Sequence, residues 1–343
     1  MKMKTSLVII FFLSSAINVF AQNSLSARDS ISTFYNKLLS TMKAEYLYKD
    51  KVDWKQTELE LNNKLQNYTD FPNSLKEITF LFDEIEANHC SVHFNEKAYK
   101  DSNGGLSASD LSDQWLKKYA TKPQFTVEVL DNQFGYILMP GIDLIDTEKS
   151  HKIAQPMYDE INKIKSSQNI QGWIIDLRFN TGGNVTPMLL ALYDFLGNNN
   201  IWGTLDINKK QVSKIKLKNG KYIDNSKKIA SIKPNGQLLD TAKTAIIIGI
   251  ATGSSGEVTA LSFKGRENTI FIGEETYGAT TANVLRDLPF GAIMALTVDY
   301  DCDRNENFYE KLIPDIKING NDNFDNLLLD DNIKEGIKYI EEK

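Results

Sequence analysis

Two cysteines and three histidines are all the thiols and imidazoles that 343 residues offer. Cys90 and Cys302 cannot build a disulfide framework, and spacing alone leaves open whether they pair. No HExxH or CxxC occurs. His89 and His93 lie four apart, but no third ligand follows at a suggestive spacing, so neither a metal nor a cofactor is expected. Positive charge is also lacking. The formal net charge is -6, which excludes the basic footprint of a nucleic-acid binder. Lysines do gather near 209–228, but among turn residues, as on a solvated loop. No internal repeat or low-complexity stretch is present. No apolar run reaches the ~20 residues that span a bilayer.

The longest apolar run, Leu7 to Leu13, is instead the core of a leader. Lys2 and Lys4 precede it, and Val19-Phe20-Ala21 follows with small residues at the two positions a signal peptidase reads. This pattern predicts a signal peptide over 1–21, cleavage after Ala21, and a periplasmic or secreted protein without stable membrane insertion. No cysteine stands at the cleavage site, so no lipid anchor is expected. About 320 residues remain, enough for one large domain or two smaller ones.

Ile31, Phe34, Tyr35, Leu38, Leu39 and Met42 form one helical stripe. Residues 55–67 read as a second helix. Ser74-Leu75-Lys76-Glu77 predicts a capping box opening a third. Residues 22–95 therefore read as a small helical subdomain, and 96–124 as a linker whose stretch 101–113 is rich in Asp, Ser, Gly and Asn. Beyond it strands and helices alternate, so 125–343 reads as α/β. Phe125 to Leu130 and Phe134 to Met139 are strands about an Asp131-Asn132 turn. A helix over 147–165 contains Pro156, which could kink or split it. Gly172 to Leu177 and Ala245 to Ile250 are buried strands, and Asn219-Gly220 is a hairpin signal. Residues 325–340 form a last amphipathic helix.

Chemistry concentrates in two strand-to-helix turns, Asp176-Leu177-Arg178-Phe179-Asn180-Thr181-Gly182-Gly183 and Thr252-Gly253-Ser254-Ser255-Gly256-Glu257. Glycine at a strand end frees backbone N–H groups to face a ligand. A serine opening a helix sits where partial positive charge favours a developing anion. One turn can supply a nucleophile and one oxyanion donor, the other a second donor. Taken alone, such a serine is ordinarily a helix cap. Asp176, Arg178 and Asn180 read as scaffolding for the glycine turn.

Five blocks in order make the signal specific: Phe134-Gly-Tyr-Ile137, Ile175-Asp-Leu-Arg-Phe-Asn-Thr-Gly-Gly183, Gly253-Ser-Ser-Gly-Glu257, Ile272-Gly-Glu-Glu-Thr-Tyr-Gly278 and Ile313-Pro-Asp-Ile316. With them residues 125–318 resemble the C-terminal processing, or tail-specific, serine protease family, which includes the tricorn core peptidases. The resemblance implies an α/β, crotonase/Clp-protease-like spiral of β-β-α units preceded by helices, acting on peptide or protein substrates. It makes Ser254 the nucleophile, with Ser255 as second choice, and places oxyanion donors at Ser255 and at Gly182 or Gly183. The tail-specific branch uses a lysine after the Thr-Phe-Gly turn. Here Ala279 stands there, and no lysine lies between Gly265 and Lys311. The tricorn branch uses Ser-His-Glu, which implies His89 as base and Glu310, or else Glu306, as its orienting acid. His93 and His151 read as ordinary. Only about 30 residues separate Phe94 from Phe125, too few for the family's PDZ module at roughly 80 to 100. Two other functions use the same fold or serine, a non-catalytic carrier of an apolar ligand or peptide, and a hydrolase of small esters or amides.

Overall fold

The computed structural model describes residues 26–342 apart from 103, 104, 145, 146 and 319. The expected leader lies outside the described residues. The first helix, Ala27–Glu45, opens where Ser26 accepts the Asp29 N–H, and the stripe read from the sequence is its buried face. Trp54–Leu65, Phe71–Ser74 and Glu77–Glu84 follow. The expected capping box at Ser74 does not form. Asp70 caps a turn earlier, with Pro72 in the first positions. Ser74 Oγ turns back to the Phe71 carbonyl at 2.7 Å, and Glu77 instead accepts the Tyr68 hydroxyl at 2.6 Å. The apolar faces of these helices share one core with Leu288, Ala292, Met294 and Leu296, so they pack directly on a sheet.

That sheet runs in the order Lys97–Tyr99, Ser91–Phe94, Ile293–Asp303, Asn200–Leu205, Gln211–Lys218, Lys221–Asp224 and Lys227–Ser231, with Thr281–Asp287 along the other edge of Ile293–Asp303. Its pairings are antiparallel. Asn219 and Gly220 join two of its strands with φ of 50° and 70°, the left-handed pair that a two-residue hairpin turn demands.

The second sheet has six strands, ordered Ile316–Lys317, Thr269–Gly273, Thr244–Ile248, Gly172–Asp176, Phe134–Leu138 and Thr126–Leu130. All neighbours are parallel except the last two. Every residue of Phe134–Leu138, Gly172–Asp176 and Thr244–Ile248 is buried, as sheets covered on both faces require. Ser150–Ser167 is one helix through Pro156. The hydrogen bond lost to proline is outweighed by burying Ala154, Met157, Tyr158 and Ile161.

The segment read as a linker is packed rather than free. Its helix Asp113–Ala120 carries Trp115, which stacks on Phe179 at 5.3 Å and donates to the Arg178 carbonyl at 3.0 Å. Cys90 and Cys302 are both buried and free, so the pairing left open by the sequence is not made. Among the described residues, no helix is long and apolar enough to cross a membrane.

Candidate active site

Three adjacent parallel strands, Gly172–Asp176, Thr244–Ile248 and Thr269–Gly273, end on the same edge of the second sheet. Open parallel sheets bind ligands at this edge. Each strand here feeds one loop of a common cluster, and hydrogen bonds lock the three loops together. Thr252 Oγ donates to the Leu177 carbonyl at 2.9 Å, and the Gly253 N–H donates to the Asn180 carbonyl at 3.0 Å. The Tyr277 N–H donates to the Thr252 carbonyl at 2.9 Å.

Ser254 stands at the apex of the middle loop with φ 53° and ψ -120°. This region is unfavourable for a residue with a Cβ and costs ~1–3 kcal/mol. What holds it there is Glu257, one turn into the helix Ser255–Leu261. The buried Glu257 carboxylate accepts the Ser254 N–H at 3.0 Å, the Gly278 and Ala279 N–H groups at 2.8 and 2.7 Å, and the Thr276 hydroxyl. Burial raises its pKa above the usual carboxylate value, while these hydrogen bonds pull the other way. One carboxylate thus ties the serine turn to the Thr276–Ala279 turn.

The backbone of the first loop faces Ser254. A Cβ added to Gly182 would lie 3.0 Å from the Ser254 Cβ. At Gly183 it would lie 2.2 Å from the Ile142 carbonyl oxygen. Both glycines have positive φ, 119° and 106°. The Gly182 N–H makes a long 3.3 Å bond to Asn180 Oδ1. The N–H groups of Gly183 and Ser255 donate no hydrogen bond among the described residues, and Ser255 Oγ donates to the Gly183 carbonyl. Gly183→Ala therefore forces backbone movement. We expect it to cut activity by about 10²-fold or more through the displaced donors, read as kcat on a peptide substrate, while Gly105→Ala, which strains a φ of 144° but meets no neighbouring atom, leaves it unchanged.

His89 reaches this cluster from the other sheet, two residues ahead of Ser91–Phe94. Its Nε2 is 3.1 Å from Ser254 Oγ, and its Nδ1 is 2.8 Å from Thr281 Oγ. The Asn283 side chain donates to the His89 carbonyl at 2.7 Å and fixes the backbone behind the ring. Burial, with the Lys100 ammonium as the next cause, pushes the imidazole pKa down to about 4. Among the described residues, no carboxylate hydrogen-bonds to the ring.

The structure thus brings His89, Ser254, Ser255, Gly182 and Gly183 together, and sets Glu310 apart. Glu310 is exposed, and its backbone carbonyl accepts the Thr280 hydroxyl at 3.2 Å. Thr281 takes the place at Nδ1 where a glutamate was expected, because the pairing of Thr281 with Tyr300 sets its hydroxyl beside the ring. Glu306 is near Lys214 at 3.9 Å, and His93 bonds to Ser91 Oγ at 3.0 Å. Thr281 and the hub role of Glu257 were not foreseen. A lone threonine carries no sequence signal. For Glu257, the Thr-Tyr-Gly turn it holds was visible, but not the contact.

Asp176, Arg178 and Asn180 brace the first loop. The buried Arg178 guanidinium meets Asp176 at 2.6 Å, Asp322 at 2.8 Å and Asp330 at 2.9 Å. Asp330 also caps the C-terminal helix Asp331–Glu341.

The chain is 29% identical to the nisin-resistance protein of Lactococcus lactis over 286 residues, covering 80% of this chain and 79% of that protein. It is 26% identical to the carboxy-terminal processing protease CtpA of Bacillus subtilis over 196 residues, 57% of this chain and 36% of that protein. The structure is similar to that of a lipoprotein from Streptococcus agalactiae, with a TM-score of 0.64 at 20% identity, covering 97% of this chain and 99% of that chain. The model of peptidase family S41 matches residues 133–318, more than half of the sequence, and the chain belongs to that family, a family of serine peptidases.

Proposed function

We propose that the protein is an exported serine peptidase in which Ser254 attacks the peptide carbonyl and His89 is the general base. The observation that carries this reading is the 3.1 Å approach of His89 Nε2 to Ser254 Oγ. With the Nδ1 proton donated to Thr281, Nε2 is free to take the serine proton and return it to the leaving amine. Thr281 then does the orienting that a glutamate does in a Ser-His-Glu site. The Gly183 and Ser255 N–H groups, with Gly182 beside them, stabilise the oxyanion. A histidine on the serine, with Ala279 at the lysine position, favours the tricorn-type branch over a Ser-Lys dyad. The substrate is a peptide or protein, reached without a PDZ module. The helices of 22–95 are read as a lead-in subdomain and 125–343 as the catalytic domain with its β-β-α spiral. Nisin, named by one relative, is a first peptide to try.

The acid limb of the pH profile tests the base. A lowered imidazole pKa keeps the ring neutral, and therefore basic, further into acid. Inactivation of the protein by a fluorophosphonate should hold its rate down through pH 6.5 and fall through about 4. An inflection at or above the ordinary histidine value of about 6.5 contradicts the assignment of a half-buried base without a carboxylate partner.

A further inference from the structure

Resting on the peptidase reading, we propose that the cleft beside His89 is a subsite for a cationic side chain of the peptide substrate. The cleft has a volume of about 950 Å³, and its lining includes Thr281 and Asn88, the residue before His89. Thr281 is the residue bonded to His89 Nδ1, so the cleft adjoins the dyad without including it, within reach of a side chain of a peptide held at Ser254.

Tyr46, Tyr48, Tyr300 and Phe308 also line the cleft, as a continuous run of rings. Tyr46 meets Tyr48 at 5.7 Å, Tyr48 meets Tyr300 at 6.0 Å, and Tyr300 meets Phe308 at 4.7 Å. Ring faces attract ammonium and guanidinium groups, and the protein already demonstrates this on itself. Lys209 Nζ lies 3.0 Å from the Tyr300 centroid and 3.5 Å from that of Phe308, and Lys51 Nζ lies 5.0 Å from Tyr48. Lys209 sits on a tight turn, where Asp206 Oδ1 accepts the Asn208 and Lys210 N–H groups, both at 2.9 Å.

Charge points the same way. Asp53, Glu84, Glu86 and Glu310 line the cleft against Lys51 and Lys209. Glu86 and Glu310 are exposed, and their carboxylates make no hydrogen bond or ion pair among the described residues. They are available to a substrate cation, and Lys209 is its internal competitor for the Tyr300 and Phe308 faces. Glu310, expected from the sequence to hold the catalytic histidine, becomes a specificity-determining residue.

The test uses the full chain carrying Ser254→Ala, immobilised, with pooled decapeptides that fix lysine, norleucine or glutamate at one position and are randomised elsewhere. At one position lysine should be enriched about tenfold over norleucine, with glutamate depleted, and the Glu86→Gln/Glu310→Gln pair should erase that preference. Lys209→Ala should increase it. Absence of any lysine preference overturns the proposal, as does a preference that survives the double glutamine variant with an unchanged melting temperature. The same pools given to the Ser254 protein separate the two readings. Charge-selective binding without cleavage refutes the peptidase and keeps the subsite. Cleavage indifferent to charge does the reverse.

Discussion

Ser254→Ala should lower peptide turnover by roughly 10⁴–10⁶-fold, and His89→Ala by about 10²–10⁴-fold, the range a general base contributes. The double variant should be no slower than Ser254→Ala alone, because without a nucleophile the base has nothing to activate. Both single variants should fold. Ser254 contributes to the turn through its backbone, held by Glu257 at 3.0 Å, and alanine keeps that N–H. Relieving no strain at φ 53°, the alanine should leave the melting temperature nearly unchanged. Activity measured as kcat/KM, beside the melting temperature, checks the pair. Loss of activity accompanied by loss of fold means that the residues are structural.

The largest effect on stability is expected at Arg178. Its guanidinium is enclosed by the Asp176, Asp322 and Asp330 carboxylates at 2.6–2.9 Å, and two of those acids are fully buried. Arg178→Met fills much of the volume but leaves buried carboxylates uncompensated. Breaking such a cluster from one side costs about 3–5 kcal/mol. It should also loosen both ends of the cluster, the turn leading to Gly182 and the cap of the C-terminal helix. Urea denaturation measures the loss, and a shift under 1 kcal/mol contradicts this role for the cluster. Arg178→Lys should recover only part of the stability, since one ammonium cannot match the fork that engages three acids.

What the sequence made legible follows from what kind of signal each feature leaves. Buried strands such as Thr244–Ile248 are apolar runs, and the Asn219-Gly220 hairpin is spelled by residues that tolerate positive φ. The serine and glycine turns stood out only as members of five ordered blocks that resemble a known family, since such a serine alone reads as a helix cap. His89 could be singled out only through the resemblance, by its place ahead of the sheet domain together with Ala279 at the lysine position, since 165 positions separate it from Ser254. What escaped depends on pairing between distant strands. Thr281 sits on the imidazole because Thr281–Asp287 and Ser91–Phe94 flank Ile293–Asp303 on opposite edges, and no local pattern encodes that. The Ser74 capping box failed for a different reason. Its motif was present, but Asp70 and Pro72 started a turn sooner. Trp115 was hidden in a polar segment read as linker, where one aromatic residue anchors a short helix.

The central claim is that Ser254 is a nucleophile activated by His89. The direct measurement is mass-spectrometric mapping of the adduct formed with a fluorophosphonate, with its rate compared between the wild-type chain and His89→Ala. The account predicts a single adduct on Ser254, absent in Ser254→Ala and formed at least about 10²-fold more slowly without the histidine. An adduct on Ser255, labelling that survives Ser254→Ala, or a rate indifferent to His89 contradicts it.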